Sequence, residues 1–317
     1  MNDTYFEILR EGVNTTIQDS GRNHLYHIGI TVSGASDQRN FRLANKVVNN
    51  DLNEAVIEFA YQGPLLELKN GRINFAITGE IFFNIIKKNS EIEEGKCYQN
   101  YILEEGEKID IISTKKTTYG YLSVEGGFKL DKIWKSYSIN TKANIGPNNG
   151  KKYSLNEKIF IKKSNIDNSK KKKIEYKNSF DNIVRVIKGT NYDYFSKTAK
   201  DIFFNEEYVV TRLVDRMGMR LDGPYLENIV NTNIKSEGLI KGVIQVPAAG
   251  KPIILLSDHG TIGGYPKIAI VISADLDKVA QLTPGTKIKF KEVNLEEAVK
   301  LFNNYTEQTN KYLDELN

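Results

Sequence analysis

The sequence reads as a mainly β protein built in two β-rich halves. Three observations carry that reading. Short apolar segments closed by turn residues recur throughout, often with Gly at the turn. Helical periodicity is confined to a few stretches, the clearest at the C-terminus. A lysine-rich stretch divides the chain near its middle. The length of 317 residues exceeds one ordinary domain of ~100–200 residues and allows two.

The first half opens on the strand-like Tyr5-Phe6-Glu7-Ile8-Leu9. Leu65 to Leu68, Ile73 to Ile77 and Tyr119 to Val124 follow, the last two ending at Thr78-Gly79 and Glu125-Gly126-Gly127. Such spacing argues for a barrel or a sandwich. One helix interrupts it: Phe41, Ala44, Asn45 and Val48 recur at helical spacing after Ser33-Gly34-Ala35-Ser36-Asp37. Ser36 or Asp37 is the expected N-cap and Asn49-Asn50 the stop. This is either a capped surface helix or a helix whose free N–H groups hold an anion. Residues 148–178 form the linker region, expected to be a solvated, flexible loop.

In the second half, Ile183 to Ile187, Tyr208 to Val210, Ile253 to Leu256, Ile268 to Ile272 and Lys287 to Phe290 read as strands. A short helix is expected within Asn191 to Phe203 and a helical turn over Asp275 to Ala280. Asn294, with Glu297 three residues on, marks the start of a terminal helix. Its apolar face is Leu295, Ala298, Val299, Phe302 and Tyr305.

The net charge of +4 is local. Residues 151–177 hold ten Lys against three acids, so the rest of the chain is slightly acidic. The lysine run has no interleaved aromatics, which argues against a nucleic-acid surface. The single cysteine, Cys97, excludes an internal disulfide and a Cys-based zinc site. The three histidines (His24, His27, His259) are too scattered for a His metal site, so none is expected. No P-loop, dinucleotide fingerprint or H-E-x-x-H is present, and no Lys sits between methionines as in a biotin carrier. No signal peptide or spanning segment is read. A cytoplasmic protein without membrane contact is expected.

Four segments concentrate polar, Gly and Pro residues within apolar surroundings. The first is Thr16 to Arg22, continuing to Asp37. Arg22 either pairs an anionic ligand bidentately or is satisfied by Asp19 across a turn. The second is Asp215 to Pro224, where two Arg and two Asp form either a salt-bridged turn or an open polar cleft. The third runs from Glu237-Gly238 through Gln245-Val246-Pro247, where a buried Gln245 must find a partner. The fourth is Asp258-His259-Gly260-Thr261-Ile262-Gly263-Gly264-Tyr265-Pro266. It follows a strand directly and sets titratable groups beside glycines that admit a ligand.

Together these segments resemble the biotin-dependent carboxyltransferase family. It includes 5-oxoprolinase C subunits, the allophanate hydrolase subunit 2 domain of urea carboxylase, and an antagonist of a sporulation-kinase inhibitor. The carrying residues are Thr16 to Arg22, Ser33-Gly34-Ala35 with Asp37, Ala44-Asn45, Glu58, Gly63-Pro64, Tyr121-Leu122 and Gly126-Gly127. Further on they are Asp215 to Gly218 with Arg220-Leu221, Glu237-Gly238, Gln245-Val246-Pro247 and Gly263 to Pro266. The last are Asp275-Leu276, Ala280-Gln281-Leu282 and Pro284-Gly285, so the match runs from about residue 14 to 292.

The resemblance implies two cyclophilin-like β-barrel domains with few helices: residues 1–165, a Lys-rich linker at 166–178, and residues 179–317 with the terminal helix. It implies a subunit that acts with A- and B-type partners in ATP-dependent hydrolysis of 5-oxoproline to glutamate. ATP is bound by the complex, and this chain carries no covalent biotin. Two other roles go with the family: a carboxyltransferase component served by a separate biotin carrier, and a non-catalytic regulator of a B-type kinase-inhibitor partner. The candidate catalytic residues are Asp258, His259, Thr261, Tyr265 and Arg216. Arg22, Ser33, Asp37, Asn45, Arg220, Gln245, Gly263 and Gly264 are candidates for binding substrate or nucleotide.

The chain departs from the family pattern in three places. Gly260 and Ile262 replace a Gln and a Thr in the loop at 258–266, which removes two side-chain hydrogen-bonding groups. Lys135 to Ile139 differs from the usual Gly-Ser-x-Ser-Thr, and Ser36 stands where Met is usual.

Overall fold

The computed structural model describes residues 3–164, 171–177, 181–230 and 233–315. The chain divides into two compact units. The first comprises 1–22, 33–178 and 309–317, and the second 23–32 and 179–308. Two segments therefore cross the boundaries expected from sequence: residues 23–32 pack with the second unit, and the end of the terminal helix packs with the first.

The strands of the first unit are β1 (Tyr5–Arg10), β2 (Thr16–Gln18), β3 (Val56–Ala60), β4 (Leu65–Lys69), β5 (Arg72–Thr78), β6 (Ile81–Ile86), β7 (Ile92–Glu94), β8 (Asn100–Glu104), β9 (Lys108–Thr114), β10 (Tyr119–Val124) and β11 (Lys158–Phe160). They form a six-stranded sheet in the order β11-β1-β4-β9-β6-β7 and a five-stranded sheet β2-β3-β10-β5-β8. β1 alternates partly exposed Tyr5 and Glu7 with buried Phe6 and Ile8. That is the pattern of a strand with one face on a core. Phe6, Ile8 and Leu66 from one sheet and Phe75, Ile77 and Leu122 from the other share a single apolar cluster.

Helix α1 (Gln38–Val47) is capped as expected, with the Asn40 backbone N–H donating to Asp37 Oδ1 at 2.9 Å. It is not a surface helix, however. Phe41, Leu43, Ala44 and Val47 are all buried, because the residues on the other side of its expected apolar stripe also meet protein. The expected loop region 148–178 carries β11, paired with β1, and of the Lys-rich linker at 166–178 only 171–177 lies within the described residues, where it is anchored. Ile174 is buried beside Leu43 and Val47, and its N–H donates to the Tyr98 carbonyl at 2.9 Å. Burying Ile174 removes apolar surface from water, and Tyr176, edge-on to Tyr98 and Tyr312, with the Lys172 main chain bonded to Asn100, holds the segment further.

The second unit is a closed barrel built from β12 (Ile183–Lys188), β13 (Tyr208–Val214), β14 (Gly218–Asp222), β16 (Val243–Gln245), β17 (Ile253–Leu255), β19 (Lys267–Val271) and β20 (Lys287–Glu292). Closure leaves no barrel edge unpaired. A separate two-stranded sheet pairs β15 (Glu237–Gly238) with β18 (Ile262–Gly263). The core includes Phe203 stacked on Phe290, with ring centroids 4.4 Å apart. Helices α2 (Lys197–Asn205) and α3 (Leu276–Ala280) occur where helical character is expected. Ser196 caps α2, accepting from the Ala199 N–H.

The terminal helix α4 (Leu295–Asp314) starts at the expected cap, with the Glu297 N–H donating to Asn294 Oδ1 at 2.8 Å. Of its expected apolar face, Ala298 and Tyr305 pack against Ile272 and Val293. Leu295, Val299 and Phe302 stay exposed and line a groove of about 270 Å³.

The Asp37 carboxylate satisfies both the Asn40 backbone and its side-chain amide. Asp37→Ala should lower the unfolding free energy by about 1–2 kcal/mol, read from the urea midpoint. A midpoint equal to that of the unsubstituted chain would contradict the capping role.

Candidate functional site

The site is assembled in the second unit around the loop 258–266. Its first residue is fixed by a buried ion pair. Arg216 Nε donates to Asp258 Oδ2 at 2.8 Å and Nη2 to Oδ1 at 3.1 Å, with both side chains almost fully buried. The Asp258 backbone N–H donates to the Arg216 carbonyl at 2.7 Å. This two-pronged geometry is what a planar guanidinium offers a carboxylate. Two of the charged residues of 215–222 find partners outside the segment, Arg216 at Asp258 and Asp222 at Lys251, 3.0 Å away, while Asp215 accepts from the Met217 and Gly218 N–H groups within it.

His259 lies beside this pair and is also buried. Its Nδ1 is 2.6 Å from the Gly260 carbonyl, so the proton sits on Nδ1 and that nitrogen donates. Nε2 is then the acceptor for the Tyr26 hydroxyl at 3.2 Å and the Thr31 hydroxyl at 3.4 Å. Burial lowers the His259 pKa, since desolvation disfavours the imidazolium. Tyr26 and Thr31 lie in the continuation of the first polar segment toward Asp37, where neither was singled out as a candidate.

The loop is next tied to the segment before β16. Leu239 N–H donates to the Thr261 carbonyl and Ile234 N–H to the Gly264 carbonyl, each at 2.9 Å. Glu237 pairs in register with Gly263. The Glu237 carboxylate reaches the barrel through Lys267 Nζ at 2.9 Å. The Lys267 ammonium holds the Glu237 carboxyl below its ordinary pKa. Lys267 is buried at the head of an apolar strand, a signal visible in the sequence as a lone Lys before Ile268-Ala269-Ile270. At Gly264 a Cβ would lie 2.8 Å from the Ile234 carbonyl oxygen, so the backbone approach there requires glycine.

An open cavity of about 590 Å³ lies against this loop. Tyr265, Gly263, Gly264, Arg220 and Gln245 line it, as do Gly260, Ile262, Leu239, Leu255 and Arg212. Asp258, His259, Thr261 and Arg216 are not among its lining residues. The first, second and fourth are buried behind the wall and hold it in place. The departures at Gly260 and Ile262 both fall on the wall, so the usual Gln and Thr side chains are missing where a ligand would be met.

Arg22, Ser33, Asp37 and Asn45 lie in the first unit, each buried with protein partners. Arg22 Nη2 donates to the Ser138 carbonyl. The Asp19 carboxylate accepts from the Gly21 N–H, the Ser136 hydroxyl and the Tyr137 N–H. Ser33 Oγ accepts from the Asn140 amide at 3.1 Å. Asn45 donates to the Glu54 carbonyl and accepts from the Ser123 hydroxyl. Ser33, Asp37 and Asn45 fasten strands and helix to one another, and a ligand contact there would require breaking those bonds in the interior. Among the described residues no group of three or more His, Cys, Asp or Glu side chains is placed to hold a metal ion.

A neutral, buried His259 predicts a pH effect on stability. The unfolded chain takes up a proton near its ordinary pKa of ~6.5, while the folded chain resists until the pH falls further. The stability is fully present above the unfolded pKa and should fall as the pH drops below it toward the lowered folded value. His259→Gln should flatten the slope of unfolding free energy against pH between about 6.5 and 5. An unchanged slope would contradict the assignment.

Comparison with known proteins identifies the fold and its relatives. The family model for the carboxyltransferase domain, subdomains A and B, matches residues 28–292. The 5-oxoprolinase C subunit of Haemophilus influenzae is 32% identical over 314 residues, covering 98% of this chain and 99% of that protein. The corresponding C subunit of Escherichia coli 5-oxoprolinase is 30% identical over 298 residues, 93% of each. The crystal structure of K. lactis urea amidolyase superposes with a TM-score of 0.87 at 24% identity. That alignment spans 98% of this chain but only 20% of the larger protein, so it speaks to the fold alone. The match over most of its length establishes that this chain belongs to the family of carboxyltransferase domains, subdomains A and B.

Proposed function

We propose that this chain is the C subunit of a 5-oxoprolinase, acting with A- and B-type subunits to hydrolyse 5-oxoproline to glutamate with consumption of ATP. The observation that carries the reading is the near-complete, end-to-end similarity to two 5-oxoprolinase C subunits. The cavity supports it. A volume of about 590 Å³ falls within the range of small-molecule sites, and its walls combine apolar side chains with a few polar groups. ATP is a co-substrate of the complex and supplies the driving force for opening a stable amide.

In this reading the chain's own residues hold and orient the cyclic amide. Tyr265 and the backbone of 260–264 form one wall, and Gln245 and Arg220 present polar groups from the barrel. The Arg216–Asp258 pair and His259 set the position of that wall from behind. No helix among the described residues is long and apolar enough to cross a membrane. A cytoplasmic place of action goes with the proposed metabolic role.

Reconstitution tests the proposal: the chain is purified with its A- and B-type partners, and glutamate release from 5-oxoproline is measured with and without ATP. ATP-dependent glutamate release that requires this chain supports it. Release no higher than background from the full set overturns it.

The wall itself is tested by Gly263→Ala. The added Cβ would lie 2.7 Å from Leu239 Cδ1 and 2.9 Å from Gln245 Nε2, displacing the tips of both side chains. The expected result is a fall in kcat/KM of roughly tenfold or more, since small misplacements at a site are costly. The thermal midpoint should move little, because side-chain tips can yield. An unchanged kcat/KM would show that Gln245 and Leu239 do not shape the reactive site.

A further inference from the structure

Arg212 is a charged residue of the cavity that neither the motifs nor the family pattern single out. It lies on β13, whose pairing with β14 is irregular. Val210 opposes Leu221 and Val214 opposes Met219, so Thr211, Arg212 and Leu213 stand against Arg220 alone. In a regular strand neighbouring side chains alternate between faces. Here Arg212, Leu213 and Val214 all line the same cavity. The two extra residues of the bulge turn the strand's side chains, as bulges beside binding sites do.

The bulge brings a second guanidinium to the cavity that Arg220 already lines. Both Arg212 and Arg220 are exposed. Among the described residues neither guanidinium has a hydrogen-bond or ion-pair partner, while the nearby Arg216 pairs with Asp258. Asp215, whose carboxylate accepts from the Met217 and Gly218 N–H groups, lines the same cavity, so two guanidiniums against one carboxylate leave its lining with a net positive charge that favours an anion. A third polar group completes the arrangement. Gln245 is buried; its Nε2 makes one long contact, 3.5 Å to the Tyr265 carbonyl. Its Oε1 has no donor among the described residues. Gly263 leaves space beside that amide, since a Cβ there would crowd it at 2.9 Å.

We propose that Arg212 and Arg220 together bind the carboxylate of the substrate, and that Gln245 Oε1 accepts the hydrogen bond of its ring amide N–H. This deepens the 5-oxoprolinase reading and rests on it for the substrate. It adds Arg212 as a specificity-determining residue that selects a cyclic amide bearing a carboxylate. The apolar walls at Leu239 and Leu255 suit the ring methylenes, and guanidiniums match a planar carboxylate through paired donors.

The test has two arms. In the reconstituted complex, Arg212→Gln should raise KM for 5-oxoproline roughly tenfold or more, as loss of a charged hydrogen-bond donor does, with kcat changing less. Arg212→Lys should recover part of the loss. In the second arm the full chain alone is titrated with 5-oxoproline and with 2-pyrrolidinone, the same lactam without its carboxylate. Binding is followed by ligand-observed NMR for the unsubstituted chain, Arg212→Gln and Arg220→Gln. Each substitution should weaken 5-oxoproline binding and leave the weaker 2-pyrrolidinone binding unchanged.

If the complex turns over 5-oxoproline and KM is unaffected by Arg212→Gln, the inference is overturned and the functional reading survives. If the complex does not turn it over but the chain binds it in an Arg212-dependent way, the reading fails and the carboxylate site stands. No 5-oxoproline binding in either arm overturns both. Inorganic phosphate displacing 5-oxoproline at equal concentration, with the same dependence on Arg212, would overturn the assignment of the anion as a carboxylate.

Discussion

The site depends on one buried ion pair. Arg216 leaves the turn between β13 and β14 and meets Asp258 at the end of β17, with two charged hydrogen bonds and almost no exposure. Burying two charges is costly unless each is matched in geometry, and removing one partner costs about 3–5 kcal/mol. The pair therefore gives little stability for its own sake. What it does is fix where the loop 258–266 begins. His259, the β15–β18 pairing and the cavity wall at 260–265 all follow from that point.

The remainder of the loop is held by weaker, local devices. Two main-chain hydrogen bonds and a two-residue strand pair join it to 234–239, and Glu237 ties that segment to Lys267 in the barrel. An isolated two-stranded sheet is marginal in water. The Glu237–Lys267 contact is the side-chain link that connects it to the seven-stranded barrel. The first unit follows the same logic with neutral partners. Asp37, Asn45, Ser33 and Asn140 are spent on fastening α1 and its flanking turns. A dense run of polar residues within an apolar sequence therefore marks a fastened turn as readily as a binding site.

Much of the fold was legible. The short apolar runs of β1, β12, β17 and β19 marked the strands, and Asp37 and Asn294 sit where helices begin. The expectation of a surface position for α1 failed because periodicity identifies one buried stripe and is silent on whether the opposite face is covered too. The lysine run misled for a related reason: charge density outweighed Ile174, whose burial anchors 171–177. In the site, the glycines and Tyr265 were visible because a strand followed by Asp-His-Gly has a recognisable chemistry. Arg212 was not, since its place on the cavity comes from a bulge in the pairing of β13 with β14, and a break in hairpin register leaves no mark in the hydrophobic pattern. Tyr26 was missed likewise, because its partner His259 is 233 residues away.

The most direct test of this account is amide hydrogen exchange on Asp258→Asn, read residue by residue across the barrel. The substitution keeps the shape of the side chain and leaves the Arg216 charge buried without its counter-charge. The account predicts that the amides of 258–264 lose protection well beyond the loss in β12, β19 and β20, with unfolding free energy lowered by about 3–5 kcal/mol. Unchanged protection in the loop, at a stability within about 1 kcal/mol of the unsubstituted chain, would contradict it.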